Sequence, residues 1–338
     1  MAARPRLGIA RRLLAWYQAG HRDLPWRRTS DPYRIWISEV MLQQTRASAV
    51  IPYYNRFLDR FPTVEALAAA PENDLLALWA GLGYYSRARN LKRAAQAMAG
   101  GGFPRDYESL RALPGIGDYT ASAIGSIAFG LPHAVVDGNV LRVVARIEND
   151  AADIAAPRTR ERFRGIAQRW LEEAPADSFG AFNQALMELG ATVCVPRNPA
   201  CPACPLRDSC RAQQSGTAAQ LPVKLRRQEA VAIQASLLLV LRDEEVLLKQ
   251  RGNQETRMPG FWDLPSPDDL PAAKLGECCG EFRHSITHHR YTFQVFRASL
   301  RKWIPRREFA WFPISRLGEI PLSTTARKGL KRAAVPCI

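Results

Sequence analysis

The sequence predicts a two-part α+β chain, mostly helical over residues 1–210 and smaller and mixed α/β over 231–338. Three observations predict it. Apolar residues recur at helical spacing through most of residues 7–192. A stretch of small polar residues, Gln213–Gln220, then breaks the pattern and leads into Lys224, Arg226 and Arg227, so 211–230 reads as a linker. Beyond it the apolar period shortens toward two, as in strands.

Each element follows in order. Ile9–Ala19, Ile35–Leu42, Leu75–Leu82, Ala121–Phe129, Val140–Ile147 and Phe182–Leu189 each repeat an apolar face with the period of a helix. Pro62, Pro71, Gly100–Gly102, Pro132 and Pro157 separate them. Proline has no amide to donate and glycine costs a helix entropy, so both mark breaks. In the second part, Ile233–Leu241 and Val246–Lys249 flank Arg242-Asp-Glu-Glu245, a hairpin pattern. Tyr291–Leu300 and Phe309–Phe312 are further strands.

The 338 residues carry 47 basic and 32 acidic side chains, a net charge of +15. Both parts are basic: 26 against 20 over 1–210, and 21 against 12 over 211–338. That balance points to a polyanion touched along the whole length. No run of 18 uncharged apolar residues is present, which excludes a spanning helix. Met1–Arg6 is basic and runs into Arg11 and Arg12 rather than an apolar signal core. The expectation is a cytoplasmic monomer with no membrane partner.

Four of the seven cysteines are spaced Cys194-x6-Cys201-x2-Cys204-x5-Cys210. Such clustering in a chain of this kind indicates metal rather than disulfides. A four-thiolate zinc site usually takes two C-x2-C pairs, and only one is present. A lone cysteine on each side of that pair favours a [4Fe–4S] cluster, held in a loop over 194–210. Four buried, unligated thiols are the bland alternative, and a loop with four prolines gives them little core to fill.

Leu113-Pro-Gly-Ile-Gly-Asp-Tyr-Thr120 joins two helices. Gly115 and Gly117 allow a tight turn, and the amides at the next helix start can hold a phosphate. Twenty residues beyond Gly117, Asp137 in Val135-Val-Asp-Gly-Asn-Val140 precedes a helix. Alone it reads as an N-cap, where the helix dipole favours an ionised carboxylate. Together with the cysteine spacing, these pieces resemble the endonuclease III-like helix–hairpin–helix superfamily of DNA glycosylases over residues 7–210. The resemblance implies that Asp137 is essential and that the cluster loop serves DNA binding, not glycosidic chemistry.

Within that superfamily three blocks resemble the adenine DNA glycosylases, the MutY family: His21-Arg-Asp-Leu-Pro-Trp-Arg27, Trp36-Ile-Ser-Glu-Val-Met-Leu-Gln-Gln-Thr45 and Trp79-Ala-Gly-Leu-Gly-Tyr-Tyr-Ser-Arg-Ala-Arg-Asn90. Glu39 lies among Ile35, Trp36, Val40 and Leu42, where desolvation should raise its pKa and let it hold a proton near neutrality. Position 119 holds tyrosine where strand-cleaving relatives hold lysine, and a phenol forms no Schiff base. The resemblance implies a monofunctional base-excision enzyme acting on duplex DNA with adenine opposite 8-oxoguanine or guanine, at work on the bacterial nucleoid. Glu39 would protonate the base and Asp137 would stabilise the sugar cation, with Tyr119 and Asn139 orienting Asp137 and the sugar. Arg22, Trp26, Arg27, Leu42, Gln43, Gln44, Thr45, Leu82 and Tyr84 would line the pocket for a flipped base or wedge the stack. Arg87, Arg89 and Lys92 are candidates for phosphate contacts.

The C-terminal part resembles a Nudix-like domain through Gln250-Arg251 and Gly260-Phe-Trp-Asp-Leu-Pro265, but no R-E-x-x-E-E run is present for Mg²⁺. That argues against nucleotide pyrophosphate hydrolysis. The resemblance implies a check for 8-oxoguanine by Ile286, Thr287 and His288, with Ile286 in place of an aromatic intercalator. The rival readings are a pyrimidine or thymine-mismatch glycosylase and a DNA-binding iron–sulfur protein without chemistry. Glu39 and Asp137 together argue against the second.

Overall fold

A computed structural model describes residues 8–225, 231–252, 258–286, 289–301 and 306–335. Thr287, His288 and Cys337 lie outside the described residues. The chain forms two compact units, one from residues 8–68 with 93–225, the other from 69–92 with 231–335.

Helices run in order α1 Ile9–Ala19, α2 Pro32–Leu42, α3 Ala47–Arg60, α4 Val64–Ala69, α5 Glu72–Trp79, α6 Ser86–Met98, α7 Tyr107–Arg111, α8 Asp118–Phe129, α9 Gly138–Glu148, α10 Pro157–Glu172, α11 Phe179–Thr192 and α12 Arg211–Gln214. In the helical unit, α2 packs on α8, and α11 packs against α1, α8 and α9. Leu13, Val144, Phe163, Phe182, Leu186 and Leu189 form the fully enclosed centre of one core, shared with Leu206 and Ala212 of the cysteine region.

α2 starts where Asp31 accepts from the Tyr33 amide at 2.9 Å and Pro32 takes the first turn. Arg34 in the first turn of α2 is exposed, but every residue from Ile35 to Met41 is buried, so this stretch has no solvent face. That is why a glutamate in its last turns is driven inside. α8 begins at the Gly115–Gly117 turn, where Gly115 adopts a φ of +76°. It ends at Gly130 in the left-handed conformation.

The α/β unit holds β1 Val231–Arg242, β2 Glu245–Gln250, β3 Trp262–Asp263, β4 Lys274–Ile286, β5 His289–Ser299, β6 Phe309–Pro313 and α13 Thr324–Arg332. The sheet order is β3-β2-β1-β5-β4, and β6 also pairs with β2. β1 and β5 are parallel; the other pairs are antiparallel. Leu237 to Val240 on β1 are all buried and alternate between two cores. Leu237 and Leu239 face one with α13's Ala326 and Leu330; Leu238 and Val240 face the other with Leu270 and Phe309. A central strand covered on both faces reads as a continuous apolar run, as this one does. The β1–β2 turn pairs Arg242 with Glu245, with Asp243 left-handed, as the sequence pattern predicted.

Gly180 fixes how closely α11 meets α8. A β-carbon there would stand 2.7 Å from the Ser126 carbonyl oxygen and 2.8 Å from the Ile127 Cα, both backbone atoms that cannot yield. Gly180→Ala is expected to destabilise the fold by about 1–3 kcal/mol in urea unfolding; an unchanged midpoint would contradict this packing.

Candidate active site

α2, α8, α9 and α11 surround a cavity of about 540 Å³, within the range of small-molecule sites. Leu24, Trp26, Ile35, Leu42, Ile127 and Met187 supply apolar wall; Glu39, Tyr119, Asp137, Asn139, Gln184 and Glu188 supply polar groups. The two carboxyls singled out by sequence, at 39 and 137, therefore face one space.

Glu39 is 4% exposed. Tyr119 Oη donates to its Oε2 at 2.6 Å. Burial pushes the carboxyl from its ordinary 4.5 up to about 7; the Tyr119 bond and Arg27 pull it back, while Asp137 adds to the rise. Asp137 is the N-cap of α9. Its Oδ1 accepts from the Val140 amide at 2.7 Å and its Oδ2 from Asn139 Nδ2 at 2.9 Å. Burial raises Asp137 too, but those two donors and the nearby Arg142 oppose it. The two acids thus differ in hydrogen-bond supply: Asp137 has a helix start and an amide, Glu39 a single phenol.

The Asn139 amide has only one workable orientation. Arg142 Nη2 donates to its Oδ1 at 2.7 Å, and a guanidinium cannot accept, so the amino group must face Asp137. Arg142 also donates to the carbonyls of Gly190 and Cys194, each at 2.7 Å. A β-carbon on Gly190 would lie 2.7 Å from Asn139 Cβ, so this glycine admits the asparagine. Upstream, Asn183 accepts from the Val135 amide at 3.0 Å and donates to the His133 carbonyl at 2.9 Å, fixing the segment that delivers Asp137.

Tyr119 bonds Glu39, and Asn139 bonds Asp137. Arg22, Trp26, Arg27, Leu42 and Thr45 line the cavity. Gln43 and Gln44 do not: Gln43 reaches Thr120 Oγ1 at 3.4 Å, and Gln44 is exposed with a φ of +59°. Leu82 and Tyr84 belong to the other unit; Leu82 is buried and Tyr84 is 51% exposed with a φ of +50°. Gly115 and Gly117 are exposed at the start of α8, which has no side-chain cap, so its first amides are open to an anion. Ile286 ends β4 and pairs with His289. Arg87 is not presented to solvent as a phosphate ligand should be. It is buried, donates to the carbonyls of Leu82 and Gly83, and covers the rings of Trp79 and Tyr84. Arg89 is held by Glu72 and the Pro259 carbonyl.

Four residues at or behind the site lie outside the sequence motifs. Glu188, 2% exposed, accepts from Arg22 at 2.7 Å and Arg27 at 2.8 Å. Burial alone would raise it; the two guanidinium bonds overcome that and hold it at about 2. Met187 approaches Tyr119 Oη with its sulfur at 3.5 Å. Arg142 and Arg146 are buried on α9, four residues apart in an otherwise apolar helix, which is the pattern that could have exposed them.

Arg146 reaches the cysteine loop, donating to the carbonyls of Val195 and Pro196 and to Cys194 Sγ at 3.3 Å. Cys194, Cys201, Cys204 and Cys210 line one small apolar hollow. Burial pushes the Cys204 thiol up to about 11. Among the described residues no group of three His, Cys, Asp or Glu is placed to hold a single metal ion. No described helix is long and apolar enough to cross a membrane.

A model of the helix–hairpin–helix base excision DNA repair superfamily matches residues 37–169. An adenine DNA glycosylase of Buchnera aphidicola (Baizongia pistaciae) is 36% identical over 297 residues, covering 82% of each chain. The chain belongs to the adenine DNA glycosylase family. The human family member is 47% identical over 214 residues, 60% of this chain but 39% of its own length. Among solved structures, a thermostable thymine-DNA glycosylase superposes with a TM-score of 0.55 at 29% identity, over 61% of this chain and 95% of its own. Endonuclease III in a DNA complex shares the fold, with a TM-score of 0.51 at 24% identity, over 61% and 94%.

The Glu39 environment carries a stability cost with a definite pH dependence. The folded carboxyl titrates near 7 and the unfolded one near 4.5, so stability falls as pH rises through that window and levels off above it. Glu39→Gln keeps an acceptor for Tyr119 and removes the charge. It is expected to gain up to about 3 kcal/mol above neutral pH, with the gain vanishing below about pH 4.5. Urea unfolding across that range checks it; a pH-independent difference would contradict it.

Proposed function

We propose that this chain is a monofunctional DNA glycosylase of base excision repair that hydrolyses the N-glycosidic bond of adenine opposite 8-oxoguanine or guanine in duplex DNA. The observation that carries the reading is one cavity holding two carboxyls of unequal hydrogen-bond supply. Adenine leaves poorly as an anion. Glu39, able to hold a proton near neutrality, delivers it to the base, so that a neutral purine departs. Asp137, fed by the Val140 amide and Asn139, remains the better anion and stabilises the positive charge that builds on the sugar. Glu39, then ionised, accepts a proton from the attacking water. Arg22, Trp26 and Arg27 hold the extruded base in the cavity, and the Glu188 clamp keeps the two arginines in place. With Tyr119 where a Schiff-base lysine would stand, the strand is left intact.

The thymine-DNA glycosylase that shares the fold keeps a runner-up alive, a thymine-mismatch activity. The three adenine-type blocks and the Buchnera relative's length of match favour adenine. The C-terminal sheet, read as Nudix-like, checks the opposite base through Ile286, Thr287 and His288. Within that sheet the Arg251 amide donates to the Phe261 carbonyl, and Arg251 pairs with the buried Asp263 at 2.6 Å, which ties the Gly260–Pro265 loop to the end of β2.

Cys194, Cys201, Cys204 and Cys210 would hold a [4Fe–4S] cluster. A donor set of thiols alone around one hollow, with a single C-x2-C pair flanked by a lone cysteine on each side, suits a [4Fe–4S] cluster better than zinc. When bound, the group cross-links the loop. This chain's own part is to give up the thiol protons and seat the loop through Arg146.

Two outcomes are expected. Purified protein carries iron and acid-labile sulfide, and Cys204→Ala loses both; zinc in their place would overturn the cluster assignment. In single-turnover assays, duplex with adenine opposite 8-oxoguanine yields strand breaks only after alkali. Glu39→Gln and Asp137→Asn each slow base release by at least about 100-fold, the range for a lost general acid or electrostatic stabiliser. Breakage without alkali, or Glu39→Gln at the parent rate, would refute the mechanism, and equal rates on A:8-oxoguanine and A:T would refute the specificity.

A further inference from the structure

The Tyr119 hydroxyl has one hydrogen and two acceptors within reach: Glu39 Oε2 at 2.6 Å and Met187 Sδ at 3.5 Å. It cannot serve both. With Glu39 ionised, the hydrogen belongs on the carboxylate. With Glu39 protonated, the carboxyl O–H can itself donate to Tyr119 Oη, and the phenol hydrogen must turn elsewhere. The thioether is an acceptor standing there, weak but in place.

The other groups facing Glu39 cannot make this exchange. Asp137, at the start of α9, is taken up by the Val140 amide and Asn139. Arg27, from the turn Pro25–Arg27, is bound to Glu188 and to the Arg22 carbonyl, and Arg22 is bound to Glu188 as well. Of the groups that bear on the carboxyl, Tyr119 is the one whose hydrogen can rotate between two acceptors.

We propose that Met187 is a positioning residue that works through Tyr119, accepting the phenol hydrogen and so favouring the form of Glu39 that carries the proton for the base. This rests on Glu39 being the acid. Hydrogen bonding that satisfies the neutral state of a carboxyl and its partner raises the pH at which it ionises. A leucine at 187 keeps the apolar volume and removes the acceptor. Protonated Glu39 then leaves a phenol hydrogen without a partner, and the ionised form gains.

The test is the pH dependence of single-turnover base release by the full chain on duplex with adenine opposite 8-oxoguanine. The readout is the midpoint of the alkaline limb, not the plateau rate. The parent should lose activity through about pH 7. Met187→Leu should move that midpoint down by about half a pH unit. Tyr119→Phe alone removes a donor to the ionised carboxyl and should move it up. Adding Met187→Leu to Tyr119→Phe should then produce no further shift, because the group that links them is gone. A parent-like midpoint in Met187→Leu overturns the proposal, as does an equal downward shift in the Tyr119→Phe background. Glu39→Gln run alongside separates the two levels: a surviving alkaline limb at the parent rate would mean that Glu39 is not the acid, whatever Met187 does.

Discussion

Everything at the site depends on keeping one carboxyl dry. Glu39 is carried on the wholly buried Ile35–Met41 stretch of α2, so folding itself pays its desolvation. The energy is recovered only in part, by one phenol at 2.6 Å. A second carboxyl on the same cavity makes ionisation of Glu39 harder still. Asp137, by contrast, is given two donors at a helix start. One cavity thereby holds two acids with unequal hydrogen-bond supply, the kind of asymmetry that lets paired carboxyls take different roles.

α9 turns this local asymmetry into a property of the whole helical unit. Its N-cap is Asp137, its first turn carries Asn139, and its buried face carries Arg142 and Arg146. Arg142 holds Asn139 on one side and the Cys194 carbonyl on the other, and Arg146 grips the next two carbonyls. Two buried guanidinium groups are expensive unless their donors are filled. Here loop carbonyls fill them. The register of the cysteine loop and the orientation of the Asn139 amide are set by the same helix. Gly190 completes the arrangement by leaving room for Asn139.

Much of this was legible in the sequence. The helical apolar spacing marks α1, α2, α8, α9 and α11, and Ile233–Leu241 and Val246–Lys249 mark the β1–β2 hairpin. The helix that the spacing predicts over Leu75–Leu82 ends earlier: Gly81 and Gly83 take φ values of +105° and +70°, and α5 stops at Trp79. β4 carries no strand pattern in the sequence. Its first five residues are exposed, and register shifts around Cys278 and Gly280 destroy the alternation that would betray a strand. α13 is short and mostly polar, and its cue is the cap Ser323, whose hydroxyl accepts from the Ala326 amide at 2.9 Å. Nothing in the helical periodicity of 69–92 sets it apart from its neighbours, although it groups with the sheet. At the site, both acids stand in stretches that resemble the family's motifs, whereas Glu188 and Met187 are ordinary helix positions until folding brings Arg22, Arg27 and Tyr119 against them.

The central claim is that Glu39 carries its proton into the neutral range. Infrared difference spectroscopy with isotope-labelled glutamate, comparing the parent with Glu39→Gln across pH 4 to 9, observes that proton directly. The account predicts one protonated carboxyl band, absent from the variant, that gives way to carboxylate around pH 7. A difference spectrum already fully ionised by pH 5.5 would contradict it.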